Sequence, residues 1–144
     1  MRLLLLISTL AVAAPAAAQI RIENGWARAT PPGAKIAAGY MTIRNAAATP
    51  DKLVAASSPA AQSVQMHVTV KDGDIFRMRE AKGYEIPARG GFELKPGGAH
   101  LMLVNIKAPF KDGAKVPLTL RFERAGEVRT ELQVGRLDAS AHQH

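Results

Sequence analysis

A succession of ten short β-rich segments, separated by turn residues, limits the fold of this chain more than any other feature. The segments are 20–28, 37–45, 52–58, 63–70, 74–80, 84–86, 91–95, 100–107, 116–123 and 127–134. The sequences between them, such as TPPGAK and FKDGAK, are rich in Pro, Gly and Asp, which favour turns. After residue 18 there is no helical periodicity of useful length. The pattern therefore predicts one all-β domain, an antiparallel sandwich or a small barrel.

The two ends of the sequence differ from the predicted domain. Residues 1–18 have a basic start, an apolar run and small residues at their end, which is typical of a secretory signal peptide with cleavage near Ala18-Gln19. The apolar run is shorter than the roughly 20 residues that span a bilayer. We therefore expect an exported protein without stable membrane insertion. Residues 136–144 lack periodicity and predict a flexible C-terminal tail, which leaves 19–135 as the folded domain.

The composition narrows the chemistry that this chain can perform. It contains no cysteine, which excludes disulfides, catalytic thiols and thiolate metal sites. The formal net charge of +7 falls to +6 without Arg2, but the basic residues are scattered and only 5% of residues are aromatic. This distribution argues against nucleic-acid binding and favours a basic surface for acidic partners or an anionic membrane. Any site chemistry must come from His, Met, carboxylates or hydroxyls.

The two histidines outside the tail each have a predicted methionine neighbour. His100 and Met102 share one face of the strand 100–107, which follows the glycine turn at 97–98. Asp72-Gly73 lies between two alternating runs and predicts a two-residue type I′ hairpin turn, whose register places His67 directly opposite Met78. A loop of three or five residues would break this pairing. Met66 points to the opposite face and is predicted to be a core residue.

The two His/Met pairs can form one N₂S₂ site if their strands approach each other, which the sequence alone leaves open. Thioethers are poor ligands for Zn²⁺, Mg²⁺ and Ca²⁺ but good ligands for Cu(I), and a blue-copper centre would need a cysteine. The pattern therefore indicates Cu(I). The alternative is a metal-free β-sandwich binding module in which the histidines are structural and the methionines fill the core.

His67, Met78, His100 and Met102 reproduce the pattern H-x10-M-x21-H-x-M, and in this the chain resembles the PCuAC family of periplasmic copper chaperones. The flanking sequences WARATPPGAKIAAGYMTIRN and GYEIPARGGFELKPGGAHLML are similar as well, so the resemblance extends from about residue 20 to 134. It implies a cupredoxin-like Greek-key β-barrel or sandwich in the periplasm, with these four residues as the Cu(I) ligands. It also implies copper delivery to the Cu-A domain of cytochrome c oxidase or to another periplasmic copper chaperone.

The C-terminal tail contains candidate ligands for a second metal site. Some family members have His- and Met-rich extensions that bind Cu(II), so His142 and His144 are candidates for a second site. This tail is short and has no methionine, which favours a tail without function.

We expect a monomer and no enzyme, because four protein ligands leave no open position for a substrate. The alternatives are a copper-buffering or resistance protein without a dedicated acceptor and a metal-dependent redox enzyme.

Overall fold

The computed structural model describes residue 10 and residues 19–135, which form ten β-strands. The strands are β1 (Ile20–Arg28), β2 (Ile36–Asn45), β3 (Asp51–Ser57), β4 (Ala61–Asp72), β5 (Ile75–Glu80), β6 (Tyr84–Ile86), β7 (Gly91–Leu94), β8 (His100–Ile106), β9 (Lys115–Phe122) and β10 (Gly126–Gly135). Every predicted segment is a strand, and each boundary lies within two residues of its predicted position. The predicted signal peptide, apart from residue 10, and the predicted tail with His142 and His144 lie outside the described residues.

Seven of the strands close into a barrel. Their order is β4-β8-β2-β1-β10-β9-β3, and β3 returns to β4 through the pair Ala56 and Val64. All neighbouring strands are antiparallel except β1 and β10, which are parallel. The remaining strands β5, β6 and β7 extend the sheet from β4, β3 and β2. This arrangement confirms the predicted all-β fold. Of the two predicted architectures, a sandwich and a small barrel, the structure has the barrel.

The hydrophobic core fills the inside of the barrel, because side chains alternate between the two faces of each strand. Strand β9 shows the alternation most clearly, with Val116, Leu118, Leu120 and Phe122 buried and the residues between them more exposed. Each fully buried leucine side chain stabilises the fold by about 2 kcal/mol. The other core side chains include Ile43, Leu53, Ile86, Leu101, Leu103, Leu132 and Val134. Met66 is 8% exposed and belongs to this core, which confirms the prediction that its side chain points inward.

The strand β8 departs from the predicted alternation at one position. The sequence places Ile106 on the face of His100 and Asn105 on the face of the core leucines. In the structure Asn105 has a positive φ of 54° and is exposed, and Ile106 is buried in the core. The left-handed backbone of Asn105, which this residue type tolerates better than most, reverses the alternation at the end of the strand.

The predicted register of the β4–β5 hairpin is wrong. Glu80, not Met78, lies opposite His67, and Met78 lies opposite Thr69. The two turn residues are Gly73 and Asp74, because only the glycine adopts a positive φ (62°) and the preceding aspartate continues β4. This is the pattern of a type II′ turn, with glycine first, rather than the predicted type I′ turn. The change moves β5 by two residues, so each of its side chains keeps its face.

Within the residues described above, no helix is long and apolar enough to cross a membrane.

Candidate metal centre

His67 and His100 lie directly opposite each other on the neighbouring antiparallel strands β4 and β8. Directly opposite residues in an antiparallel pair project from the same face of the sheet. Their ring centroids are 5.6 Å apart, and each residue is only 8% exposed although it faces away from the barrel core. The approach of the two strands, which the sequence left open, is thus a feature of the fold.

The two methionines flank this histidine pair on the same face. Met102 lies opposite Gln65, two residue pairs from the histidines along β4 and β8 and thus in the next pair on the same face, and it is half-buried. Met78 lies on β5, diagonal to His67, a relation in which the two residues are about 7 to 8 Å apart, their Cβ atoms are somewhat closer, and long side chains still meet. Its side chain is 58% exposed. The fold therefore gathers His67, His100 and Met102 closely and places Met78 at the exposed margin of the group.

Each histidine presents one ring nitrogen that is free to bind a metal ion. The Nε2–H of His67 donates to Gln65 Oε1 at 3.0 Å, so the lone pair lies on Nδ1. Among the described residues this Nδ1 is the one buried side-chain nitrogen or oxygen without a hydrogen-bond partner. The His100 Nδ1 lies 3.5 Å from the Gly98 carbonyl oxygen, which leaves Nε2 with the other lone pair. An unpartnered buried polar atom costs free energy, and a cation bound at this lone pair would remove that cost. The thioethers of Met78 and Met102 make a soft cation the better fit.

The turn before β8 positions His100, and burial of the ring favours its neutral form. Gly97 has a φ of +82°, and the Gly98 amide donates to the Lys95 carbonyl oxygen at 2.9 Å, which closes the turn. Burial lowers the pKa of His100 below its ordinary value of 6.5; the Gly98 carbonyl opposes this shift, and the charge of nearby His67 adds to it. The neutral ring, which is the form that binds metal, is therefore favoured at neutral pH.

Tyr84, at the start of β6, ties the two histidines together through their main chains. Its hydroxyl lies 2.7 Å from the His67 carbonyl oxygen and 2.8 Å from the His100 carbonyl oxygen, so its hydrogen is shared between two acceptors. Tyr84 is only 2% exposed, and burial raises its pKa to about 12, although both carbonyl contacts act in the opposite direction. The hydroxyl therefore stays neutral and keeps β4 and β8 in register at the site.

An aromatic row covers the other side of His100. The Tyr40 ring centroid is 6.4 Å from that of His100, and the Trp26 ring lies 4.7 Å from Tyr40. The Arg28 guanidinium lies over Trp26 at 5.9 Å, within the range of a cation–π contact. These rings shield His100 from solvent on the outer surface of the barrel.

Sequence reasoning missed the residues that support the histidines, among them Gln65 and Tyr84. Gln65 could have been found, because it is two residues from His67 on the same strand face. Tyr84 has no comparable local signal, since its hydrogen bonds join residues 16 and 17 positions apart.

Comparisons with known proteins relate this chain to a protein family and to solved structures. Residues 20–134 match the family model described as "Putative lipoprotein LpqE-like". A protein of Leifsonia xyli subsp. xyli, named as a putative lipoprotein, is 37% identical over 121 residues, covering 78% of this chain and 72% of the relative. The fold is also similar to the copper-bound PCuAC domain of PmoF2, with 32% identity and a TM-score of 0.71 over 82% of this chain and 93% of that domain. The Cu(I)-bound DR1885 protein of Deinococcus radiodurans gives 30% identity and a TM-score of 0.66 over 84% and 80%. These neighbours confirm the cupredoxin-like fold expected from the resemblance.

Proposed function

Because the chain belongs to the LpqE-like family and is built like PCuAC domains that bind copper, we propose that it is an exported copper chaperone. One observation carries the proposal: His67 and His100 face each other across β4 and β8, and the buried Nδ1 of His67 has no partner among the described residues. Copper is here the cargo of the protein, and catalysis forms no part of the proposal.

We further propose that His67, Met78, His100 and Met102 bind a single Cu(I) ion. Two neutral imidazoles and two thioethers suit this soft ion and add no charge to it. The common face of the four residues supports this assignment, as does the spacing that the chain shares with the PCuAC pattern. A Cu(II) site at His142 and His144 remains a separate prediction about the tail.

The proposed transfer step is ligand exchange. Ligands of the acceptor replace those of the carrier one at a time in a transient complex, beginning at Met78, whose side chain is 58% exposed. The formal charge of +6 that remains without Arg2 favours acidic acceptors by electrostatic steering. We propose the Cu-A domain of cytochrome c oxidase or another periplasmic copper chaperone as the acceptor. A monomeric carrier is sufficient for this step.

Export to the periplasm is proposed from residues 1–18, which have the composition of a signal peptide. The curated relative is named as a lipoprotein. The 144 residues contain no cysteine, the residue that would carry a thioether-linked lipid. We therefore propose that residues 1–18 direct export and that no lipid is attached through a cysteine of these 144 residues.

An anaerobic Cu(I) titration against a competing chelator tests the site. We expect one equivalent to bind to the wild type and affinity to fall at least about tenfold in His100→Ala, Met78→Leu and Met102→Leu. Met66→Leu is the matched control, because this methionine is next to His67 but lies in the core. Unchanged binding in His100→Ala would refute the site and favour structural histidines.

A second experiment tests the chaperone role separately. The copper-loaded protein is mixed with an apo Cu-A domain, and copper in each protein is measured after separation. We expect transfer to the acceptor that is faster than release to a chelator of equal affinity. Tight binding without transfer to any acceptor would instead indicate a copper-buffering protein.

A further inference from the structure

A cleft of about 300 Å³ lies on the outer surface of β1 and β2, away from the histidine pair. Three arginines and one carboxylate face it: Arg21, Arg44, Arg89 and Glu23. Arg44 is four residues beyond Tyr40 on β2, a separation of about 14 Å along an extended strand. The cleft therefore cannot share a ligand with the proposed copper site.

The charges of the side chains around this cleft are unbalanced in the absence of an anion. Arg21 and Arg44 are directly opposite each other on β1 and β2, and like charges in this position destabilise a sheet. Glu23 partly compensates, with its Oε2 3.3 Å from Arg44 Nε. No other carboxylate of the described residues forms an ion pair with the three arginines. The four side chains together carry a net charge of about +2 at neutral pH.

The backbone around the cleft fixes the positions from which Arg44 and Arg89 project. Gly91 lies opposite Arg44 on β7, and a Cβ atom there would come within 3.4 Å of Arg44 Cδ and 3.5 Å of Nη1, so the arginine side chain lies across the glycine. Arg89 has a positive φ of 52°, which is uncommon outside glycine, and its amide donates to the Ala47 carbonyl oxygen at 2.9 Å. The neighbouring Gly90 carbonyl oxygen accepts from the Asn45 amide at 2.7 Å. The cleft is thus bordered by paired strands and a closed turn.

We propose that this cleft binds a phosphate group. Guanidinium groups offer planar forks of N–H donors that match the oxygens of phosphate, and the roughly dianionic charge of a phosphomonoester balances the charge of the cleft. A single carboxylate would neutralise only half of that charge. The phosphate belongs either to a small soluble phosphate compound or to the headgroup of an anionic lipid. This function is independent of copper binding.

Titration of the protein with inorganic phosphate at constant ionic strength, followed by NMR, tests the site. We expect saturable shifts of the Arg21, Arg44 and Arg89 amides and an affinity at least about tenfold lower in Arg44→Gln. Arg89→Gly should lose the same binding while remaining folded, because glycine favours the left-handed backbone at this position. The matched control is Arg129→Gln, an exposed arginine on β10 that leaves phosphate binding unchanged. No saturable shift, or equal binding in Arg44→Gln, overturns the proposal.

Co-sedimentation with lipid vesicles distinguishes the two sources of phosphate. The protein is mixed with vesicles of phosphatidylcholine alone or with added phosphatidic acid. Binding that requires phosphatidic acid and Arg44 assigns the lipid headgroup, whereas phosphate binding without co-sedimentation assigns a soluble phosphate compound. Equal loss of both kinds of binding in Arg44→Gln and Arg129→Gln would show attraction by overall charge and would overturn a defined site.

Discussion

Replacement of Tyr84 by phenylalanine removes one hydroxyl group from beneath the two histidines. The ring keeps its stacking on Phe92, whose centroid is 4.7 Å away, so the change is confined to the hydrogen bonds. The hydroxyl bridges the His67 and His100 carbonyl oxygens, and its loss leaves both without this donor. A lost buried hydrogen bond with a partner left unsatisfied costs about 1 to 3 kcal/mol. For a domain of this size, at about 4 °C per kcal/mol, we expect the melting temperature to fall by roughly 4 to 12 °C.

The same variant should weaken copper binding without altering any proposed ligand. Loss of the bridge frees the backbones of β4 and β8 to separate at the site, and a supporting contact of this kind is worth about tenfold in metal affinity. Tyr40→Phe is the control, because the described residues provide no side-chain hydrogen bond to its hydroxyl. A Tyr84→Phe protein with wild-type melting temperature and wild-type Cu(I) affinity would refute the reasoning.

The pH dependence of stability gives an independent measurement of the Tyr84 hydroxyl. In the folded protein its pKa is about 12, whereas in the unfolded chain it is near 10. The folded state therefore binds more protons between these values, and the wild type loses up to about 3 kcal/mol as the pH rises from 10 to 12. Tyr84→Phe lacks this group, so the difference in melting temperature between the two proteins should shrink over that interval. An unchanged difference would contradict the assignment.

Three further predictions concern other parts of the fold. Gln65→Leu removes the acceptor for His67 Nε2 and should lower Cu(I) affinity by about tenfold, measured by chelator competition with Gln62→Leu as control. Asp51→Ala removes a buried carboxylate that accepts three backbone N–H groups, and denaturant unfolding should show a loss of about 3 kcal/mol; a loss below about 1 kcal/mol would contradict this. Gly39→Ala places a Cβ 2.9 Å from Leu132 Cδ1 and should cost about 1 to 3 kcal/mol by overpacking, detected as a lower melting temperature at constant m-value.

The strands and their faces could be predicted because both depend on local sequence. Alternation with period two assigned Met66 to the core and His67 to the opposite face, and the structure agrees. The prediction of the β5 register was wrong because the register depends on which residue of the Asp-Gly-Asp sequence takes a positive φ. The two turn types at Gly73 differ only in which residues form the turn, but each fixes the pairing of the whole strand.

The neighbours of each strand could not be predicted from such local patterns. Closure of the barrel brings β8 beside β4 and pairs β1 with β10 in parallel, and these contacts join segments far apart in the chain. The opposition of His67 and His100 therefore rested on the family resemblance until the fold was known. Tyr84 illustrates the same limit, because a tyrosine in a three-residue strand carries no sign that it bridges two other strands.

Strand β5 is hydrogen-bonded to β4 alone among the described strands, and all six of its residues are exposed. Its detachment would break one ladder and leave the closed barrel intact, whereas separation of β4 from β8 would open the barrel itself. The free energy of local opening should therefore be much lower for β5, and its amide hydrogens should exchange faster than those of β8. In the proposed copper complex, the lifetime of the Met78 bond is then governed by fraying of this hairpin, while His67, His100 and Met102 retain the ion. The rate at which the Met78 position opens to a ligand of the acceptor therefore becomes a property of the hairpin, adjustable by substitutions at its turn that leave every proposed ligand in place.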